Sequence, residues 1–212
     1  MATPSSLSGY LVSDVRLHRV RVGIWSAEVC LPSPVQLAGA VSLTVGDLTL
    51  AGTVVRGGPV EGEAAYLVTG GAGKWRQSIP ARAYRNDLGV KASTVLADAA
   101  RDAGEQLVMT QPDAVLGSAF VRALAPAWNV LAEVAPTWWM DAAGVTQVGP
   151  RPAPVVSGTW RLIRWSRASG MQEIATDTPS IFEPGALLSG APIEEVDLHA
   201  TNEGTRLRVR AL

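Results

Sequence analysis

Residues 195–210 fit together as a hairpin in a register that satisfies both faces at once. With Thr201-Asn202-Glu203-Gly204 as the turn, Ala200 faces Thr205, Leu198 faces Leu207 and Val196 faces Val209, an apolar stripe. On the opposite face His199 meets Arg206, Asp197 meets Arg208 and Glu195 meets Arg210. A slip of one residue would exchange the two faces. This stretch is therefore committed to an antiparallel sheet with one buried and one solvated side. Val41-Ser42-Leu43-Thr44-Val45 and Leu48-Thr49-Leu50-Ala51-Gly52 repeat the logic around Gly46-Asp47, a two-residue loop that suits a primed turn. That turn pairs Val45 with Leu48, Leu43 with Leu50 and Val41 with Gly52.

From Gly9 to about Tyr84 the chain is strand-like throughout. Trp25, Ala27, Val29 and Leu31 share one face of a strand, and Cys30, on the other, reads as an unreactive small residue. The 21 glycines and 14 prolines fall between short β-branched runs, as tight turns require. Ser93 is placed to cap a helix through about Ala103, with Leu96, Ala99, Ala100 and Ala103 on one face and Gly104 as its stop. A second helix is expected from near Pro126, with Ala127, Val130, Leu131 and Val134 inward. Trp138-Trp139-Met140 and Val145-Thr146-Gln147-Val148 flank Asp141-Ala142-Ala143-Gly144 as a further hairpin, and Arg151-Pro152-Ala153-Pro154 is a stiff connector. The fold class is mainly β with a small α+β insert. The expected division is residues 1–84, a helical and hairpin insert at 85–150, and residues 151–212.

Charge narrows the function. With 18 Lys+Arg against 19 Asp+Glu, a net charge of -1 and a pI near 6.1, the chain has no electrostatic engine for non-specific nucleic-acid binding. A 47% hydrophobic content is enough to bury a core. Cys30 is the single cysteine, so no intrachain disulfide and no thiolate cluster for zinc or iron–sulfur is expected. The start, Met1 to Gly9, lacks the basic and apolar regions of a signal peptide, and no apolar run approaches the roughly 18 residues of a spanning helix. A soluble protein is the expectation.

No residue set for catalysis stands out. Gly70-Gly71-Ala72-Gly73-Lys74 invites a phosphate-loop reading, but the places a Walker A reserves for Gly and Ser/Thr hold Val68 and Trp75. It reads as a strand connector. His18 and His199, the two histidines, sit in no metal-binding spacing. There is no Gly-x-Ser-x-Gly elbow. Glu194 and Glu195 point to opposite faces of a strand and cannot flank one bond, and the same alternation separates Trp138 from Trp139. No cofactor, no metal and no enzymatic activity are expected. The stripe Arg206, Arg208 and Arg210 reads first as a solvated face balanced by Asp197 and Glu195, and second as a contact for an acidic partner or a channel lining.

Several short phrases, taken in order, resemble one family. Trp25 to Leu31, Leu37-Ala38-Gly39-Ala40-Val41-Ser42-Leu43, Gly46-Asp47, Gly52-Thr53-Val54 and Leu67-Val68-Thr69-Gly70-Gly71 are similar to the first barrel of the hub protein of phage tail baseplates and contractile injection machines. Ala83-Tyr84-Arg85-Asn86-Asp87-Leu88-Gly89-Val90 with the helix from Ser93 resembles that family's small helical insert. Ala127 to Val134, Trp138-Trp139 and Asp141 to Val145 resemble its helix and Trp-containing hairpin. Glu183-Pro184-Gly185-Ala186-Leu187-Leu188, Ile193 to His199 and Leu207 to Arg210 resemble the closing hairpin of its second barrel.

The resemblance implies two β-barrel-like domains, each similar to a tail-tube subunit, and a homotrimer whose six barrels adapt a six-fold tube to a three-fold spike. Implied partners are further copies of the chain, a tail-tube or distal tail protein and a spike or tip protein. DNA would be met only in transit, without membrane insertion. The implied location is the virion tail, after synthesis in the bacterial host cytoplasm. Arg206, Arg208, Arg210, Trp138 and Trp165 are the candidate interface residues. The alternative is a tail-associated ligand- or glycan-binding β-protein in which Trp138, Trp160 or Trp165 stacks on sugar rings. A cell-wall hydrolase module is the weakest reading, for want of an acid/base pair.

Overall fold

A computed structural model describes residues 4–202 and 204–212; the reading of Met1, Ala2 and Thr3 and the place of Glu203 in the last turn lie outside them. The N-terminal part supplies β1 (Ser6–Leu7), β2 (Tyr10–Leu11), β3 (Asp14–Val20), β4 (Ser26–Leu31), β5 (Gly39–Val45), β6 (Leu48–Val60) and β7 (Glu63–Gly70). The middle holds β8 (Ser78–Ile79), β9 (Arg82–Arg85), α1 (Ala92–Ala103), β10 (Leu107–Met109), β11 (Ala119–Arg122), β12 (Ala125–Pro126), α2 (Trp128–Val134), β13 (Trp138–Met140) and β14 (Thr146–Val148). The C-terminal part adds β15 (Arg161–Ser166), β16 (Met171–Ala175), a 3-10 turn (Pro179–Ile181), β17 (Leu187–Leu188), β18 (Ala191–Thr201) and β19 (Gly204–Ala211).

The two outer parts make one antiparallel sheet in the order β15-β16-β19-β18-β3-β4-β7-β6-β5-β1-β2, with β17 paired to β18. β18 and β3 join them, running from Glu195 opposite Val20 to Thr201 opposite Asp14. Both hairpins carry the expected register: Leu198 opposite Leu207 and Glu195 opposite Arg210 in one, Leu43 opposite Leu50 and Val41 opposite Gly52 in the other. The mainly β class with an α+β insert stands. Closure of the sheet into a barrel is not seen: the strand path runs from β15 to β2, with no pairing between its ends among the described residues. No helix among those residues is long and apolar enough to cross a membrane.

In the insert, α1 buries Val95, Leu96, Ala99, Ala100 and Ala103 and stops at Gly104, which is left-handed at φ 77°. Its cap differs from expectation. Lys91 is the N-cap and has no side-chain cap bond; Ser93 lies inside the first turn, where Asp113 accepts from its backbone N–H at 2.9 Å and its hydroxyl at 2.7 Å. Asp113 thus supplies from a loop the acceptor that Ser93 was expected to provide. α2 starts two residues after Pro126, which instead lies in β12 opposite Ser78. The tryptophan hairpin forms as read, with Trp138 opposite Val148, and β14 also pairs in parallel with β10. β9 pairs with β11, so the expected boundary at 84/85 crosses a paired strand.

Arg122, at 1% exposed, ties β11 to α1: it donates to Pro80 O through Nε (3.1 Å) and Nη2 (2.9 Å) and to the Asp102 carboxylate. The Arg122 hydrogen bond holds the Asp102 carboxyl below the usual carboxylate range. Its stabilisation is fully present above that range and is lost as pH falls below it toward the lowered value. Asp102→Asn should therefore lower stability at neutral pH and flatten the acid limb of the stability–pH profile, read by urea denaturation between pH 3 and 7. Packing predicts a second outcome. A Cβ at Gly52 would stand 2.4 Å from Thr69 O and 2.7 Å from the Trp25 ring, so Gly52→Ala should cost about 1–3 kcal/mol by urea denaturation.

Candidate functional site

Strand alternation sends Val15 and Leu17 of β3 inward and Asp14, Arg16 and His18 outward, while β18 sends Leu198 and Ala200 inward and Asp197 and His199 outward. The result is a charged face over β4, β3, β18, β19 and β16. A groove of about 580 Å³ runs across it, walled by Arg16, His18, Glu28, Asp197, His199 and Arg208 among others.

His18 lies opposite Asp197 and donates from Nδ1 to its Oδ1 at 2.7 Å; Glu195 Oε1 stands 3.6 Å from the same nitrogen. His199 donates from Nε2 to Asp14 Oδ2 at 2.6 Å. Arg210 pairs with the other oxygen of Glu195, as its register position anticipated. The other expected cross-strand pairs take different partners. Asp197 is opposite Arg208 but turns to His18 across the other ladder, and Arg206 reaches Glu173 at 3.4 Å. Arg208 has no ion pair among the described residues. These contacts are partly exposed and contribute about 0.2–1 kcal/mol each. Arg206, Arg208 and Arg210 do share one face.

Trp138 and Trp165 are not brought to that face. Trp138, at 7% exposed, is a core residue of the insert's hairpin. Trp165, at 53% exposed, sits on edge strand β15 with the Arg167 guanidinium 5.0 Å from its ring centroid. Trp160 packs edge-on to Phe182 with ring centroids 6.1 Å apart. Burial and the neighbouring Asp14 push the Cys30 thiol above its ordinary value, which disfavours the thiolate.

Two features escaped sequence reasoning. The loop after Gly70 is an anion nest that the chain fills itself: Glu105, 8% exposed, accepts from the backbone N–H of Ala72 at 3.0 Å and of Lys74 at 2.5 Å. Gly71 is left-handed at φ 69°, where a side chain is strained, and a Cβ there would crowd Glu105 Oε2 at 2.8 Å. A carboxylate thus stands where a phosphate loop would hold its ligand. The signal was the acid following the Gly104 stop. The second is a cluster of arginines. Arg19 occupies an inward position of β3, 5% exposed, with Glu183 at 3.5 Å. Arg151 lies 4.5 Å from the Trp139 ring centroid and donates to Val20 O (3.1 Å) and Arg21 O (3.3 Å). Burial, together with the Arg19 charge, lowers the Arg151 guanidinium to about 10.

No protein-family model matches the sequence, and no curated protein does. Solved structures do. The 43 kDa tail protein of prophage MuSo2 from Shewanella oneidensis superposes with a TM-score of 0.71 at 9% identity, covering 100% of this chain and 98% of that one. The chain has the fold of phage tail proteins. A tail protein from Neisseria meningitidis MC58 gives a TM-score of 0.65 at 11% identity over 99% of this chain and 95% of that one. The c3393 protein of E. coli, a type VI secretion component described as structurally similar to the T4 tail proteins gp27 and gp5, gives 0.67 at 10% over 99% and 76%. The tail-protein fold so assigned spans both outer parts and the insert.

The nest gives this site its prediction. Glu105→Ala leaves the N–H groups of Ala72 and Lys74 without their acceptor, and charge-assisted hydrogen bonds of this kind contribute about 1.5–3 kcal/mol. A loss of that size in urea denaturation is expected.

Proposed function

We propose that the chain is a structural hub of a phage tail tip or baseplate, three copies of which form a ring that adapts a six-fold tail tube to a three-fold spike or tip. The observation that carries this reading is the likeness, along 100% of the chain, to a protein described as a tail protein. Residues 1–84 and 151–212 would then be the two tail-tube-like units and 85–150 the insert. The open sheet lends support. Its two ends, β15 with Leu162, Ile163 and Trp165 and β2 with Tyr10 and Leu11, carry exposed apolar side chains that neighbouring subunits would cover.

In this role the chain is scaffold rather than enzyme, and its place is the virion tail, after synthesis in the bacterial host cytoplasm. Its partners are its own copies, a tail-tube or distal tail protein and a spike or tip protein, with DNA only in transit. A net charge of -1 suits passage, because tight phosphate contact would retard it. The glycan-binding alternative now rests on Trp165, since Trp138 is buried and Trp160 packs on Phe182.

Native mass spectrometry of the purified chain should give a three-chain species, and negative-stain images a three-fold ring. A monomer that persists when tail-tube protein is added would refute the adaptor role.

A further inference from the structure

The sequence offers no metal-binding spacing, but the fold assembles one from distant residues. His18 of β3 and Glu195 and Asp197 of β18 place one ligand atom each within 4.8 Å of one another. We propose that these three side chains form a site for a single first-row divalent metal ion, zinc being its best probe. The ion would pin the ladder that joins the N- and C-terminal parts of the sheet. This assignment is independent of the tail-hub reading.

The backbone sets the ligand positions. His18 and Asp197 are directly paired across the ladder, and Glu195 follows Asp197 two residues away, on the same face. All three are anchored by strand hydrogen bonds, so the donors converge without ordering a loop. The chemistry of the set is selective: one imidazole nitrogen with two carboxylates suits zinc and its transition-metal neighbours, whereas calcium and magnesium favour all-oxygen sites. His18 Nδ1 has a single proton to donate and gives it to Asp197 at 2.7 Å, leaving Glu195 Oε1 at 3.6 Å, beyond hydrogen-bond reach. An ion in place of that proton would serve all three donors.

The surroundings have the parts of a metal centre's outer layer. Arg210 holds Glu195 by its second oxygen, which keeps Oε1 turned toward His18. Arg208 lies across from Asp197 and lines the groove with it; the open groove leaves space for water to complete the coordination. His199, the other histidine, is bonded to Asp14 and stands outside the cluster, which makes it the natural control.

The test is zinc titration of the chelator-treated full chain by isothermal calorimetry, with cobalt absorption spectra to report the ligand field. One zinc per chain is expected, together with a zinc-dependent rise in Tm. His18→Ala and the double variant Glu195→Gln/Asp197→Asn should each weaken binding at least tenfold and abolish the Tm rise. His199→Ala should bind as the parent does. Because His18 is partly exposed, its variant should melt like the metal-free parent, which separates lost binding from lost folding. The proposal is overturned if the parent binds no stoichiometric zinc, if binding survives His18→Ala but is lost in His199→Ala, or if zinc binds only between molecules, seen as an affinity that climbs with protein concentration.

Discussion

The ladder between β3 and β18 holds the rest of the structure together. It pairs Asp14 with Thr201 and Val20 with Glu195, near opposite ends of the chain, and through it the strands on either side become one sheet. Without it β3 and β18 would each be an open edge with unpaired backbone groups. Polar side chains bridge this seam: His18 to Asp197, His199 to Asp14 and Arg21 to Glu194 all cross it. Their placement has a register logic. A one-residue slip would bring His18 and Asp197 to the positions of Leu17 and Leu198, burying charge in place of leucine.

One residue breaks the alternation, and the break is informative. Arg19 sits opposite Val196, where Val15 and Leu17 lead one to expect another apolar side chain. Desolvation lowers its pKa and Glu183 opposes the shift, the signature of a buried charge compensated by a single acid. Arg151 from the proline-rich connector packs beside it on Trp139 and bonds the carbonyls of Val20 and Arg21. The connector is therefore anchored to the end of β3. Buried ion pairs of this sort add little net stability against an apolar alternative. What they supply here is position: Glu183 must reach the end of β3 to offset the Arg19 charge, and Arg151 to satisfy the carbonyls of Val20 and Arg21.

Which parts of the fold were legible follows from the range of the interactions. Both hairpins could be read because partner strands lie within a few residues and their two faces test the register twice. α1 was legible from its apolar spacing and from Gly104, but its start was not, since the acceptor that satisfies it comes from Asp113, twenty residues away. The β3–β18 pairing was illegible for a stronger reason: many strands share the same alternation, and nothing local tells β18 which to join. The charged face shows the same limit. Asp197 has Arg208 on one side and His18 on the other, and only the second ladder reveals that histidine takes it. The glycine loop misled in the opposite sense, because its geometry is that of an anion cradle while its anion, Glu105, comes from the end of a helix.

At 9–11% identity to the tail proteins it superposes on, this chain shares an architecture and few side chains. Strand alternation and turn chemistry explain how that is achieved: interior positions accept many apolar residues of similar volume, and register depends on the pattern rather than on the identity of each residue. Outward-facing residues are under no such common constraint. The chemistry of the grid of His18, Asp197, Glu195 and Arg210 across the seam therefore has to be argued from its own distances. A sheet that needs its two ends joined in one register gives partly exposed polar side chains at that join a fixed geometry. Such geometry is the first requirement of any site, whatever the assembly around it.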